Sequence, residues 1–197
     1  MGMAHHACMT FTSGFFKSLT EAEVDEIRHW AQTPFDGAGI TWLKFQSRIY
    51  WTRLARVTME DVELVEYNSE IPFAHVVALY NSVNWTNYTK NPEQLEAALE
   101  NSSYVLCAIF EKRIVGLVRC ISDDQTICYV QDLLVNPKGQ RRGIGTALLS
   151  AVLNRYSHVR QLVLMTDNNQ SSTEFYKSLG FREISGDLAG FVRLNND

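Results

Sequence analysis

Val135-Asn136-Pro137-Lys138-Gly139-Gln140-Arg141-Arg142-Gly143-Ile144-Gly145-Thr146 joins a strand-like run to a helix-like one. Before it, Thr126 to Val135 is rich in β-branched and apolar residues, as a strand requires. After it, Ile144, Leu148, Leu149 and Val152 fall on one face of a helix running to about Tyr156. A strand-to-helix turn leaves the first helical N–H groups unpaired, with the positive end of the helix dipole behind them. Gly143 and Gly145 permit close approach to the backbone, and Arg141 and Arg142 add positive charge. This combination makes an anion site suited to a diphosphate. The plainer alternative is a glycine-containing connection with solvated arginines. Two other phosphate loops are excluded by residue type. No Gly-Lys-Ser/Thr follows, as a P-loop needs, and the glycine pair comes after an apparent antiparallel meander, not early in a βαβ unit.

Upstream, Tyr104 to Phe110, Ile114 to Ile121 and Thr126 to Val135 read as three strands. Glu111-Lys112-Arg113 and Ser122-Asp123-Asp124-Gln125 connect them, short and polar as antiparallel neighbours require. Val62 to Tyr67 is an earlier strand. Pro72 suits a helix start, from which Phe73, Val76, Val77 and Tyr80 face a core. Asn91-Pro92-Glu93-Gln94 begins a second helix, with Asn91 as N-cap and Gln94 closing a capping box. Leu95, Ala98 and Leu99 form its apolar stripe. Downstream, Gln161 to Thr166 reads as a buried strand, and Ser171 or Ser172 caps a helix stopped by Gly180. Phe181 to Ile184 and Gly190 to Leu194 are expected to close the sheet as a strand pair.

The first sixty residues follow another pattern. Thr20-Glu21-Ala22-Glu23 has the form of a capping box for a helix to about Ala31, and Thr41 to Leu54 is ambiguous between strand and helix. The expected organisation is an extension over 1–60 and one domain over 61–197. The aromatic extension is a candidate oligomerisation arm, which makes a homodimer the assembly to test.

Hydrophobic residues at 46% and charged residues at 20% match an ordinary globular chain and exclude a largely disordered one. A net charge of -4 gives no electrostatic reason to expect nucleic acid or an anionic membrane as partner. The apolar runs are too short for a bilayer span, and the N-terminus lacks signal-peptide features, so a cytoplasmic location is expected. Cys8, Cys107, Cys120 and Cys128 form no C-x-x-C pair and read as reduced thiols. His5 and His6 are adjacent and not spaced as ligands on one face, so no metal is expected. His29, His75 and His158 are scattered and suggest no hydrolase triad.

Gln140-Arg141-Arg142-Gly143-Ile144-Gly145 resembles the Q/R-x-x-G-x-G/A element of the GNAT acyltransferases. It follows Asp132-Leu133-Leu134-Val135-Asn136-Pro137 in the expected strand. Asn169-x-x-Ser172-x-x-Phe175-Tyr176-x-x-x-Gly180-Phe181 is similar to that family's N-x-x-A-x-x-F-Y-x-x-x-G-F pattern, with Ser172 where alanine is usual. The resemblance covers Val62 to Leu194. It implies an α/β (α+β) fold with a mainly antiparallel sheet flanked by helices, in which two parallel strands splay apart at the cofactor site. It also implies transfer of the acetyl group of acetyl-CoA to a primary amine by direct attack in a ternary complex.

On this resemblance the main chain of Leu133, Leu134 and Val135 would pair with the pantetheine arm. The loop from Gln140 through Arg141, Arg142, Gly143, Ile144, Gly145 and Thr146 would hold the pyrophosphate. Asn169 would bond the pantetheine or shape its channel, and Tyr176 would sit near the sulfur and protonate the leaving thiolate. A phenol is chemically suited to that donation, although packing beside Phe175 and Phe181 would explain Tyr176 as well. Attack by a neutral amine also needs a base. Asp132 is the candidate, directly or through water, and pairing with Arg119 is its structural alternative. The acceptor, a small-molecule or peptide amine, would meet Tyr80, Trp85 and Tyr88, which serve equally as aromatic anchors of a surface loop. A CoA-binding regulatory module without turnover is the competing function.

Overall fold

The computed structural model describes residues 50–184, so the expected helix at 20–31 and the strand at 190–194 lie outside the described residues. The chain divides into two compact units, Met1–Arg53 and Leu54–Asp197. In the second unit, a 3-10 turn at Met59–Asp61 leads into β1 (Glu63–Glu66). Then come α1 (Phe73–Ser82), the short α2 (Thr86–Thr89), α3 (Pro92–Glu100), β2 (Tyr104–Phe110), β3 (Arg113–Ser122) and β4 (Ile127–Val135). A 3-10 turn at Pro137–Gly139 precedes α4 (Ile144–Arg155), β5 (Gln161–Leu164) and α5 (Gln170–Ser178). The five strands among the described residues lie in chain order, antiparallel except that β5 runs parallel to β4. This is the expected mixed, mainly antiparallel sheet. The connection between the first two expected helices holds a further one, α2, which no apolar period announces in four residues, Thr-Asn-Tyr-Thr.

Strand alternation divides the core. Leu117 of β3 and Leu134 of β4 face α1 and α3, where they meet Val76, Leu79, Tyr80, Leu95 and Leu99. Fully burying a Val or Leu side chain contributes about 1.5–3 kcal/mol, so this layer holds α1 and α3 firmly to the sheet. On α1, Leu79 takes the core position expected of Val77, which is only half-buried. The opposite face carries α4, whose Ile144, Leu148, Leu149 and Val152 are at most 1% exposed. Gly116 of β3 makes that approach possible. A methyl there would lie 2.9 Å from Ile144 Cγ2 and 3.0 Å from Leu148 Cδ1. Gly116→Val is therefore expected to cost about 1–3 kcal/mol through overpacking. Urea unfolding checks it, with a lower midpoint at unchanged slope as the expected result.

Local chemistry sets the ends of the elements. Asn91 caps α3, accepting from Gln94 N at 3.2 Å, while the Gln94 side chain meets the Asn91 side chain and not its backbone. Between β3 and β4, Asp123 accepts from the Thr126 hydroxyl and from the N–H groups of Gln125, Thr126 and Ile127. These bonds hold its carboxyl well below the usual carboxylate range, the Thr126 hydroxyl contributing most. For α5 the cap is Asn169, accepting from Ser172 N at 2.9 Å, and neither Ser171 nor Ser172. Gly180, with φ of 88°, ends α5 as expected, and the N–H of Phe181 returns to Tyr176 O at 3.1 Å. Residues 181–184 form no strand, because the turn commits the first of these N–H groups to the helix and no ladder partner exists among the described residues. β5 is shorter and less buried than expected, with Leu162, Val163 and Leu164 half-exposed on an edge of the described sheet. Cys107, Cys120 and Cys128 are free and fully buried, and burial pushes the Cys107 thiol up to about 12.

Candidate active site

The parallel pairing of β4 with β5 runs from Ile127–Gln161 to Val130–Leu164 and stops there. β4 continues to Val135 while the chain after Leu164 turns away. Beyond that point one edge of β4 has no ladder partner among the described residues. An open cleft of about 500 Å³ occupies the gap, with Gln131, Asp132, Leu133, Met165, Thr166 and Tyr176 among its lining, and Trp85 and Tyr88 of the α1–α3 connection on its far wall. Its lining contains no lysine or arginine. A second cavity, of about 480 Å³, lies by β1 and α3 and contains none of the motif residues.

The helix beside the gap begins without a side-chain cap. Gly143, with φ of 85°, is the N-cap of α4 and bears no group that could accept from the first amides. Arg141 also has a positive φ, 59°, which costs a non-glycine residue conformational energy. The expected loop is thus built with open amides. Its side chains divide differently. Arg142 donates to the carbonyl of Ala55. Gln140 Nε2 donates to Val135 O at 3.1 Å, using one of that carbonyl's two lone pairs. Ile144 is 1% exposed and points into the core, and Thr146 is exposed. A methyl at Gly145 would sit in ordinary contact, 3.6 Å from Phe175 Cζ and 3.7 Å from Val135 Cγ2. The two sequence motifs therefore lie side by side.

Asp132 lies between the strands and α1 with its side chain fully enclosed. Tyr80 Oη donates to Oδ2 at 2.9 Å, Arg119 Nε lies 2.5 Å from Oδ2, and Tyr88 Oη donates to Oδ1 at 3.0 Å. Arg119 Nη1 also donates to Ser102 Oγ at 3.3 Å. Such a buried charge is tolerable because it is paired and fully bonded. Burial, and then the Asp132 charge, raises the Tyr80 phenol far above its ordinary value, and the same two causes raise Tyr88. Arg119 is raised by Asp132 against the opposing pull of burial, which is the larger single influence. An offset in the β3–β4 register between Arg119 and Cys120 leaves Gln131 without a facing residue on β3, and its Nε2 donates to Tyr88 Oη at 3.2 Å.

Tyr176 is half-buried in the cleft, its ring edge-on to Phe175 at 5.1 Å and to Phe181 at 5.9 Å. Burial raises its phenol, and the Thr166 hydroxyl draws it partly down. Trp85 stacks on Tyr88 with ring centres 5.9 Å apart and planes at 23°. Of the expected acceptor contacts, Tyr80 does not reach the cleft: it is 0% exposed, beneath Tyr88. The Leu134 side chain lies in the core, and the Asn169 side-chain oxygen accepts from Ser172 N at the start of its own helix. Gln131 joins the cleft without any sequence signal, because of the register offset, and Thr166 lies there at the end of the second strand, where the resemblance places the gap.

A family model for the acetyltransferase (GNAT) domain matches residues 70–190, more than half of the chain. The chain belongs to the GNAT acetyltransferases. This GNAT chain is 27% identical over 133 residues to an uncharacterized N-acetyltransferase, ycf52, of Gracilaria tenuistipitata var. liui, covering 64% of this chain and 70% of that protein. It is 29% identical over 118 residues to the histone acetyltransferase TAP1 of Glycine max, covering 53% of this chain and 49% of that one. Among solved structures, a GNAT-family acetyltransferase of Streptococcus pneumoniae TIGR4 superposes with a TM-score of 0.61 at 32% identity, over 69% of this chain and 99% of that one. AAC(6')-Iy, solved in complex with the bisubstrate analogue CoA-S-monomethyl-acetylneamine, shares the fold at a TM-score of 0.53 and 16% identity, over 68% of this chain and 99% of that one. No group of three or more His, Cys, Asp or Glu suited to a metal occurs among the described residues, and no described helix is long and apolar enough to cross a membrane.

Proposed function

We propose that this GNAT chain moves an acetyl group from acetyl-CoA to the primary amine of a small molecule or peptide, by direct attack while both are bound. The observation that carries the reading is the parting of β4 from β5 beyond Val130–Leu164, beside the uncapped start of α4. Bound acetyl-CoA supplies an acetyl group activated as a thioester. The amides from Arg141 to Thr146 would hold its pyrophosphate, with the dipole of α4 behind them. The exposed main-chain edge at Leu133 would pair with its pantetheine amides. Tyr176, on the cleft wall, would donate its proton to the departing sulfur. The acceptor would enter along Trp85 and Tyr88. A cleft wall with the Asp167 carboxylate and no lysine or arginine suits a cation. In this reading Asp132 does not meet the amine, since its oxygens are enclosed by Arg119, Tyr80 and Tyr88.

Gly143→Asp tests the cofactor site. It places a side chain at a φ of 85°, with its Cβ 3.3 Å from Met59 Cγ, and sets a carboxylate where a diphosphate would bind. Acetyl-CoA titrated calorimetrically into the wild type is expected to bind at micromolar concentration, and the variant to bind at least about tenfold more weakly, roughly 1.4 kcal/mol. Equal binding by a folded variant would remove the loop from the cofactor site. No binding by the wild type would end the acyltransferase reading.

A further inference from the structure

We propose that Tyr88 is the residue that takes the surplus proton from the acceptor amine, passing its own phenolic proton to Asp132; this rests on the acyl-transfer reading above. Asp132, as a fully enclosed carboxylate, cannot touch a molecule in the cleft. Tyr88 can, because it lines the cleft and already donates to Asp132 Oδ1 at 3.0 Å. Its oxygen has two lone pairs. Gln131 Nε2 uses one at 3.2 Å, which leaves the other for an amine N–H.

The two oxygens of Asp132 have different surroundings. Oδ2 holds Arg119 and Tyr80, so the negative charge is compensated there. Oδ1 meets only Tyr88 among the described side chains and is the oxygen open to a proton. Trp85 stacked above Tyr88 and Tyr80 packed beside it at 5.2 Å fix the ring. The charged and titratable groups around Tyr88 are thus Asp132, Arg119 and Tyr80, with Tyr129, Asp167 and Tyr176 across the cleft. Its phenol is raised above the ordinary value, so at neutral pH it keeps its proton until it can give it to Asp132 in the same step.

The step balances without a further reactant. One ammonium N–H bond breaks first, its proton going to Tyr88 Oη and its electron pair staying on nitrogen. The Tyr88 O–H proton goes to Asp132 Oδ1. The neutral amine then bonds to the acyl carbon, and the C–S bond breaks as the sulfur takes the Tyr176 proton. The second surplus N–H proton replaces that proton on Tyr176. After the amide leaves, Asp132 returns a proton to Tyr88, and Tyr88 releases one to solvent in the cleft.

The test compares Tyr88→Phe with Tyr80→Phe, since each removes one hydroxyl from Asp132 but only Tyr88 faces the cleft. Wild type is first assayed by thiol release from acetyl-CoA with 2-phenylethylamine, spermidine and a lysine peptide, and the amine with the highest rate is kept. The expected result for Tyr88→Phe is a loss in kcat of about 100-fold at neutral pH, with KM for acetyl-CoA unchanged. That loss should shrink at high pH, where the amine arrives already deprotonated. Tyr80→Phe should lose less than about tenfold at every pH. The proposal is overturned if Tyr80→Phe matches the loss, if the Tyr88→Phe loss is the same at all pH, or if Tyr88→Phe retains wild-type kcat. If wild type binds acetyl-CoA but releases no thiol with any of the three amines, the acyl-transfer reading fails and this one with it.

Discussion

Asp132→Ala is expected to destabilise the protein by about 3–5 kcal/mol, because it strands the Arg119 guanidinium in a buried site. Arg119 is 5% exposed and Asp132 1%, so water cannot replace the lost partner without opening the sheet. The hydroxyls of Tyr80 and Tyr88 lose their acceptor in the same change. At roughly 2–4 °C per kcal/mol for a domain of this size, Tm should fall by about 10 °C. Asparagine is a poor rescue, because its amide would face a ring of donors. The informative partner is Asp132→Leu combined with Arg119→Met. Removing both charges should leave the protein more stable than the sum of the single losses implies, by more than about 1 kcal/mol. Urea unfolding of the singles and the double measures this. Strict additivity would mean that Asp132 and Arg119 are not energetically coupled, whatever their proximity.

Tyr176→Phe is expected to lower kcat by about 100-fold or more while leaving acetyl-CoA binding unchanged. Phenylalanine keeps the edge-on contacts to Phe175 and Phe181, so the substitution removes only the hydroxyl. The pH dependence has a definite sign. Burial raises this phenol above its ordinary value near 10, so the proton is present throughout the neutral range and is lost only at still higher pH. Tyr176 should therefore impose no alkaline decline in kcat below about pH 10. Steady-state rates of thiol release across pH check both points. Unchanged kcat in the variant would remove the phenol from the reaction.

Much of this arrangement was legible in the residues, for physical reasons that vary along the chain. The Gly143–Gly145 loop and the Phe175-Tyr176 helix carry residue-type constraints that few other folds impose. The helical period at Ile144, Leu148, Leu149 and Val152 fixed the buried face of α4, where each of the four is at most 1% exposed. Other features leave no local trace. An aromatic at the end of α1 looks the same whether it lines a pocket or lies beneath one, so Tyr80 was indistinguishable from Tyr88 until their depths were known. The alternation along β4 continues through the register offset, which conceals that Gln131 turns toward Tyr88. Asn169, Ser171 and Ser172 are all acceptable helix caps, and only the fold selects among them. The role of Gly116 depends wholly on α4, which is distant in sequence.

Beyond Val130, one edge of β4 carries peptide groups with no ladder partner among the described residues. A surface offered by peptide groups is nearly blind to which side chains hang from it, much as a sheet accepts many sequences in an added strand. Exchanges such as Leu133→Ile or Leu133→Val should therefore pass unnoticed by a ligand lying along that edge. A proline at Leu133 should not, because it deletes an N–H and fixes the dihedral. A saturation scan of this segment would then show broad permissiveness broken by a single residue type. Relatives could drift freely along the strand and still hold the same molecule.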